Sequence, residues 1–301
     1  MSELERGDEP AKPRRGSWPS LAAALADPAC TIEEAALIVA RDAYPSLDCG
    51  RYLTMLDEIA EPLVARADAM RGTRGGVSAP AFAGLIGDHL YRRLGFRGND
   101  SAYYDPRNSY LNEVLESRSG IPITLAIVMI AVARRCGVAA DGIGFPGHFL
   151  VRLGGPVVLG RGPGEITGGC YVDPYRAAHV LDRIALERLL EKMAGTGSKL
   201  SADHLGVSDR QGMMVRMLTN LRGIFASGGH HARAMLACDR LVDLGAGPSA
   251  RRDRGLHALA MGASWVARAD LEAYLAVRPK ANDAPKIKEA LDKARRKGTL
   301  H

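Results

Sequence analysis

Three short stretches in the middle of the chain decide the fold: Asn108-Ser-Tyr-Leu-Asn-Glu-Val-Leu115, Phe145-Pro-Gly-His-Phe-Leu-Val-Arg152 and Tyr171-Val-Asp-Pro-Tyr175. The apolar residues of the first stretch share one face of a short helix. The other two are β-prone and are bounded by turn residues, so they predict two strands. In this arrangement His148 opens one strand and Asp173 ends the other.

A histidine at the start of a strand can be paired with a carboxylate on the neighbouring strand. Such a carboxylate fixes the tautomer of the imidazole and supports its protonation, as in the triads of hydrolases. The spacing of His148 and Asp173 is equally compatible with a hydrogen bond that is only structural. A metal site made of His148, Asp173 and Cys170 is a further alternative, but its ligand spacing matches no familiar site, and no metal or cofactor is expected.

The nucleophile of such a triad belongs at the start of the helix predicted from Pro122. The helix dipole lowers the pKa of a cysteine there, but the residues present are Ile121-Pro-Ile-Thr124. Cys136 falls at the opposite end of this helix, and Cys170 is expected on the other face of the strand that carries Asp173. Thr124 and Ser119 are the weak remaining candidates for a nucleophile and would need strong assistance from a base, and Ser119 is more simply a helix cap.

Helices are expected before this region and a small sheet after it. Thr31-Ile-Glu-Glu34 is a capping box at a helix start, and a helix over 79–94 carries His89, which we interpret as a packed or surface histidine rather than a ligand. The apolar run 121–133 is too short for a membrane span and predicts a buried helix. Short strands over 138–145, 149–153, 157–159 and 170–172, with a turn at Gly154-Gly-Pro156, complete an α+β fold of helices packed on a small antiparallel sheet.

The remainder of the chain is predicted to be all helical. A helix over 181–193 and a linker over 194–203 precede segments that repeat with a period of 34 residues when 237–241 is aligned with 271–275. This period is typical of tetratricopeptide helix pairs. An unrelated helical bundle is the alternative. In either case the region is too short for a long solenoid and is expected to pack on the first domain.

These patterns divide the chain into a disordered N-terminal tail over 1–17, a first domain over 18–195 and a helical region over 205–297. Among the 301 residues, 47% are hydrophobic and 25% are charged, as in soluble globular proteins. The five scattered cysteines and the acidic N-terminus without a targeting pattern predict a cytoplasmic protein. The net charge of +6 is mild and lacks interleaved aromatic residues, so nucleic acid is not an expected partner.

The central motifs together resemble the SirB1 family, a branch of the transglutaminase-like superfamily that is usually followed by tetratricopeptide-like helices. The resemblance covers roughly 30–290. It rests on the three opening stretches, on Ser119-Gly-Ile-Pro-Ile-Thr-Leu125, and on the later segments Arg216–Leu221, Arg252–Leu256 and Asp270–Leu275. It implies a papain-like core with His148 and Asp173 at the triad positions, and a cysteine position near Pro122 that is not conserved here as cysteine.

The resemblance implies a degenerate transglutaminase-like domain, and we expect a non-catalytic regulatory or protein-interaction protein. Its partner is expected to be another protein or a peptide, bound in a groove beside His148 and Asp173. The predicted lining of this groove is Asn108, Tyr110, Asn112, Arg118 and Pro122. The alternative is an amide hydrolase or acyl transferase in which His148 acts as a base toward water or Thr124.

Overall fold

The structure, a computed structural model, describes residues 18–71, 78–160, 162 and 164–297. The tail predicted over 1–17 lies outside these residues. In the described segments, no helix combines the length and the apolar character needed to cross a membrane.

Helices make up most of the described chain. Their bounds are Leu21–Ala26 (α1), Ile32–Ala40 (α2), Cys49–Arg71 (α3), Ala79–Gly87 (α4), Leu111–Ser117 (α5), Pro122–Arg135 (α6), Arg183–Ala194 (α7), Arg210–Ser227 (α8), His231–Asp243 (α9), Pro248–Ala260 (α10), Ser264–Val277 (α11) and Ala284–Lys297 (α12). A π-helical segment, Asp88–Arg93, continues α4, and 3₁₀ turns form Pro106–Ser109 and Ala202–Leu205.

The strands form two sheets. Their bounds are Arg97–Gly98 (β1), Ser119–Gly120 (β2), Ala140–Ile143 (β3), Leu150–Leu159 (β4), Ile166–Asp173 (β5), His179–Leu181 (β6) and Val207–Ser208 (β7). β1 and β2 are a short parallel pair, and the other five form an antiparallel sheet in the order β6-β5-β4-β3-β7. The α+β fold predicted from the sequence is confirmed.

Several local predictions are confirmed and one is wrong. The side chain of Thr31 accepts from the backbone N–H of Glu34, whose carboxylate accepts from the N–H of Thr31, as a capping box requires. The turn predicted at Gly154-Gly-Pro156 is instead an irregularity inside β4, where the register against β5 shifts between Leu153 and Val157. Gly154 and Gly155 have positive φ angles of 77° and 90°, which glycine adopts without strain, so the strand continues through a bulge rather than reversing.

Helix α6 is the centre of the core. Its residues from Pro122 to Ala133 are all buried, and it packs against α2, α3, α5 and the strands β3 and β4. Continuous burial explains why the sequence shows an apolar run rather than a one-sided pattern. His89 is also buried, and its Nε2 atom lies 2.8 Å from the carbonyl oxygen of Ile59, so of the two predicted alternatives, packed or at the surface, it is packed.

The C-terminal helices pack on the first domain, as expected from their small number. α8 contacts α2 and α6, and the side chain of Arg240 on α9 forms two hydrogen bonds with Asp42, of 2.7 and 3.1 Å. Within the helical region, the guanidinium of Arg254 joins α10 to the buried Asp270 of α11 at 2.6 Å and to Asp239 of α9 at 2.9 Å. Arginine–aspartate pairs between consecutive helices therefore hold the repeat units together.

Candidate functional site

The antiparallel pairing of β4 and β5 brings His148 and Asp173 together. Val151 of β4 lies opposite Val172 of β5, so the residue that ends β5 faces the turn that leads into β4. The Nε2 atom of His148 lies 2.9 Å from Oδ1 of Asp173. The two residues are only 6% and 3% exposed, and we refer to them as the dyad.

A tight turn fixes the histidine. The backbone N–H of His148 donates to the carbonyl of Phe145 at 3.0 Å, which closes a turn over Pro146 and Gly147. Gly147 has a φ of 63°, a left-handed conformation that favours glycine. The Phe-Pro-Gly-His sequence thus forms the turn that places the histidine just before the start of β4.

The aspartate is fixed by its own backbone. Oδ1 of Asp173 accepts from the N–H of Tyr175 at 2.8 Å and from that of Arg176 at 3.3 Å, in addition to its contact with His148. Directly afterwards, Ala177 and Ala178 have φ angles of 52° and 61°. Two consecutive left-handed alanines are strained by about 1 kcal/mol each, so the surrounding packing must hold this turn in place.

One nitrogen of the dyad histidine remains open. When Nε2 donates to Asp173, the neutral ring carries a lone pair on Nδ1. No described residue hydrogen-bonds Nδ1 of His148, and this atom is not among the buried polar atoms that lack a partner. Nδ1 is therefore free to accept a hydrogen bond, although the ring as a whole is buried.

Aromatic side chains surround the dyad. The ring of Tyr175 packs edge-to-face on His148 with centroids 6.1 Å apart, and its hydroxyl donates to Oδ1 of Asp100 at 2.9 Å. On another side, the hydroxyl of Tyr91 donates to the carbonyl of Pro174 at 2.5 Å. Burial, and then the charge of the nearby Asp173, raise the pKa of Tyr91, so this hydroxyl keeps its proton.

The start of α6 carries no thiol. Pro122 occupies the first helical position, and the Thr124 hydroxyl is engaged in the first turn. This hydroxyl donates to the carbonyl of Asn108 at 2.7 Å and accepts from the N–H of Ile121 at 3.2 Å. Gly120 packs closely against this hydroxyl: a Cβ on Gly120 would lie 2.8 Å from the Thr124 Oγ1 atom.

All five cysteines are buried. Burial raises the pKa of Cys170 and Cys238 to about 12 and that of Cys30 to about 11, and it also raises the pKa of Cys49. Cys136 caps the C-terminal end of α6, where the helix dipole disfavours a thiolate. The described residues contain no group of three or more histidine, cysteine, aspartate or glutamate side chains that could hold a metal ion.

The five residues predicted to line a groove are placed in different surroundings. Asn108 lines an open cleft of about 540 Å³ together with residues 97–102, but its amide group is engaged with the carbonyls of Ala102 and Tyr103 and with Asn99. Pro122 is buried at the start of α6.

The other three predicted residues do not share this cleft. Tyr110 packs edge-to-face on Tyr44 and lines a cavity of about 40 Å³ against α8 and α9. Asn112 is buried, and its Oδ1 atom has no partner among the described residues. Arg118, with a φ of 56°, places its guanidinium over the ring of Phe96 at 5.1 Å.

Sequence reasoning missed the residues that join the cleft to the dyad. Tyr175 contacts the dyad through its ring, which packs on His148, and the cleft through its hydroxyl, which donates to Asp100. The ring also packs so closely against Gly98 that a Cβ on this glycine would clash with it. The only feature of the sequence that could have pointed to Tyr175 was its position two residues after Asp173. Asp100 and Gly98 are brought near by the pairing of β1 with β2, two strands of two residues each.

The comparisons with known proteins agree with this architecture. Residues 50–219 match the family model of the transglutaminase-like superfamily, and residues 221–292 match that of the tetratricopeptide repeat. The fold and the dyad thus define a transglutaminase-like domain that is followed by tetratricopeptide helices. The repeat predicted from the period of 34 residues is confirmed.

Relatives in bacteria share nearly the whole chain. A UPF0162 protein of Xylella fastidiosa is 36% identical over 275 residues, which cover 90% of this chain and 92% of the relative. A UPF0162 protein of Pseudomonas aeruginosa is 28% identical over 70% of this chain and 71% of its own length. The chain belongs to this UPF0162 family within the transglutaminase-like superfamily.

A short segment of the chain is also similar to part of a mammalian protein. F-box only protein 21 of Mus musculus is 44% identical over 63 residues, which are 21% of this chain and 10% of the mouse protein. No solved structure matches the chain.

Proposed function

We propose that this is a non-catalytic, degenerate transglutaminase-like protein of the SirB1 type, which acts in the cytoplasm as a regulatory protein by binding a peptide or another protein beside the dyad. One observation carries the proposal. The first turn of α6 holds Pro122 and a Thr124 hydroxyl that is already hydrogen-bonded. Burial raises the pKa of four cysteines, Cys30, Cys49, Cys170 and Cys238, and so disfavours their thiolate forms. A base without a nucleophile does not support covalent acyl transfer.

The open Nδ1 atom of His148 favours one alternative, an amide hydrolase or acyl transferase in which the dyad activates water. A lone pair without a hydrogen-bond partner among the described residues, on a ring oriented by a carboxylate, is the geometry of a general base. The two functions differ in a measurable way, because only the second predicts turnover that depends on His148.

The first experiment measures turnover. Purified wild-type protein, His148→Gln and, as a matched control, His204→Ala are incubated with a panel of amide, ester and γ-glutamyl substrates. Glutamine keeps a donor toward Asp173 and therefore preserves the fold. We expect no turnover by any of the three proteins. Hydrolysis by the wild type and the control that is lost in His148→Gln would overturn the proposal and establish the alternative.

The second experiment restores the missing group. In Pro122→Cys, we expect the new thiol to have a lower apparent pKa in iodoacetamide alkylation than the buried native cysteines, because the helix dipole acts on it although the position is buried. Adding His148→Gln in this background should raise that pKa again. If the pKa of this thiol is ordinary and does not change in His148→Gln, the dyad is not the remnant of a catalytic triad.

A further inference from the structure

A continuous row of aromatic rings leads from the dyad to the protein surface. The ring of Tyr175 lies 6.1 Å from His148 and 6.2 Å from Tyr103, whose ring lies 5.3 Å from that of Tyr104, all measured between centroids and all edge-to-face. Tyr103 and Tyr104 are 36% and 77% exposed. Large aromatic side chains exposed in a row are unusual on a surface that contacts only water.

Three arginines without a carboxylate partner lie around this row: one contacts it, one acts on it electrostatically, and one lines the neighbouring cleft. The guanidinium of Arg176 lies 5.9 Å from the ring centroid of Tyr175. Arg216 on α8 acts electrostatically on Tyr103, where its charge opposes the increase in pKa that burial causes. Arg97 lines the neighbouring cleft, and no described acidic side chain pairs with any of these three arginines.

The carboxylates of the cleft are already engaged. Asp105 holds Arg107 at 2.7 Å, and Asp100 accepts the hydroxyl of Tyr175 at 2.9 Å. Burial, and then the neighbouring carboxylate of Glu113, raise the pKa of Tyr44 to about 12. Only Asp105 is thus paired with a cation, while Asp100 and Glu113 keep their negative charge, so the unpaired positive charge is confined to the three arginines.

We propose that Arg97, Tyr103, Tyr104, Arg176 and Arg216, here called the Arg–Tyr surface, bind an extended acidic segment of a partner protein. This inference rests on the proposed function and names the chemistry of the partner. Carboxylates of the segment pair with the guanidinium groups, which match carboxylate geometry in a bidentate manner. Its apolar side chains pack on the exposed tyrosine rings.

A peptide segment fits the surface better than a single small anion. An extended chain rises about 3.3 Å per residue, so a segment of roughly five residues follows the row of rings. A nucleic acid would also offer negative charge and stacking, but it carries a phosphate at every nucleotide. Asp100, Asp105 and Glu113 would repel such a uniform charge, whereas a peptide can place its carboxylates only at the arginines.

The test is fluorescence anisotropy with defined probes on the full chain. The first probe is the fluorescein-labelled peptide Gly-Glu-Pro-Glu-Leu-Glu-Pro-Glu, the second has glutamine at every glutamate, and the third is a short labelled oligothymidylate. We expect only the first probe to bind. Its affinity should fall with added salt and should fall roughly threefold to tenfold in each of Arg97→Gln, Arg176→Gln and Arg216→Gln.

The matched control is Arg251→Gln, which removes another exposed arginine of the described chain that has no acidic partner, on α10. It should bind the acidic probe as the wild type does. Tyr104→Ala should weaken binding without changing its salt dependence, because it removes contact area and not charge.

Three results would overturn the inference. These are no binding of the acidic probe, equal binding of the acidic and glutamine probes, or acidic-probe binding that is unchanged in the three arginine variants. Tighter binding of the oligothymidylate, with the same arginine dependence, would assign the surface to nucleic acid instead. Displacement of the peptide by an equimolar concentration of inorganic phosphate would assign it to a small anion. A finding of His148-dependent turnover would refute the proposed function while leaving these binding results intact.

Discussion

Replacing Thr124 with valine tests whether its hydroxyl is structural. Valine has nearly the same shape, so it leaves no cavity, but it removes the donor to the carbonyl of Asn108 and the acceptor for the N–H of Ile121. All three residues are at most 4% exposed. A buried backbone group that loses its partner costs about 1–3 kcal/mol, and carbonyls tolerate the loss better than N–H groups. We therefore expect Thr124→Val to lower the free energy of unfolding by about 2–4 kcal/mol.

Thr124→Ser is the matched comparison. It keeps the hydroxyl and loses one buried methyl group, which costs about 1 kcal/mol. Urea unfolding followed by far-UV circular dichroism should therefore rank the midpoints as wild type, then serine, then valine, with unchanged slopes. Hydrogen exchange gives a local measurement, because the amide of Ile121 should exchange faster in the valine variant and not in the serine variant.

The reasoning fails if Thr124→Val unfolds within about 0.5 kcal/mol of the wild type, which is the range of neutral surface substitutions. The hydroxyl would then not carry these two hydrogen bonds. Thr124 would become a free hydroxyl at a helix start, and its candidacy as a nucleophile would be strengthened.

Three further substitutions have defined outcomes. Arg135→Met should lower the free energy of unfolding in urea by about 3–5 kcal/mol, because it leaves the carboxylate of Glu33, whose side chain is 4% exposed, buried without its cation. Burial, and then the neighbouring imidazole on α9, lower the pKa of His257 below 6.5, so the unfolded state takes up more protons and stability is lost as the pH falls below that value. His257→Asn should flatten this acid-side loss in melts at graded pH. Gly98→Ala should cost about 1–3 kcal/mol in the same urea assay, because its Cβ would lie 2.5 Å from the Tyr175 ring.

The controls for these substitutions come from the same chain. Arg51→Ala removes an ion pair with Glu116 in which the two side chains are 67% and 44% exposed, and it should change stability by less than about 1 kcal/mol. Gly84→Ala lies in α4, where the new Cβ would have no neighbour within 4 Å, and it should be neutral or slightly stabilising. If Arg135→Met or Gly98→Ala behaves like its control, the packing argument at that position is wrong. An acid-side loss as steep in His257→Asn as in the wild type would show that another group titrates.

Features that depend on neighbours in the sequence were predictable. The capping box at Thr31 and Glu34 follows from local hydrogen bonds, and burial along α6 follows from its apolar run. The contact between His148 and Asp173 also followed from sequence. Each residue is next to a strand in a simple antiparallel pairing, so alternation and turns were sufficient to bring them together.

Features that depend on tertiary pairing were not predictable. Gly154-Gly-Pro156 has the composition of a turn, yet β4 continues because the N–H of Gly154 donates to the carbonyl of Ala139 and pairing with β5 resumes beyond it. The strand β7, which pairs with β3, has two residues and lies after the predicted linker. Strands of this length have no periodicity that a sequence could display.

The same limit applies to the surroundings of the dyad. Tyr110 was predicted to line the groove, but it packs on Tyr44 near α8 and α9. Tyr175 was not singled out, yet it is the residue that contacts both His148 and Asp100. A side chain's direction at a helix or turn boundary is set by elements that are distant in the sequence. For Tyr110 these are α8 and α9, later in the chain, and for Tyr175 they are β1 and the loop that follows it, earlier in the chain.

Retention of the dyad does not by itself indicate catalysis, because Asp173 has a structural role that is independent of any reaction. Its Oδ1 atom accepts from the backbone N–H groups of Tyr175 and Arg176 as well as contacting His148. Losing this oxygen would release the turn that places Tyr175 on His148 and Arg176 beside the row of aromatic rings. Asp173 therefore positions the turn that carries two residues near the proposed Arg–Tyr surface, Tyr175 and Arg176, and a chain that used this surface for binding would keep the carboxylate whether or not the domain is catalytic.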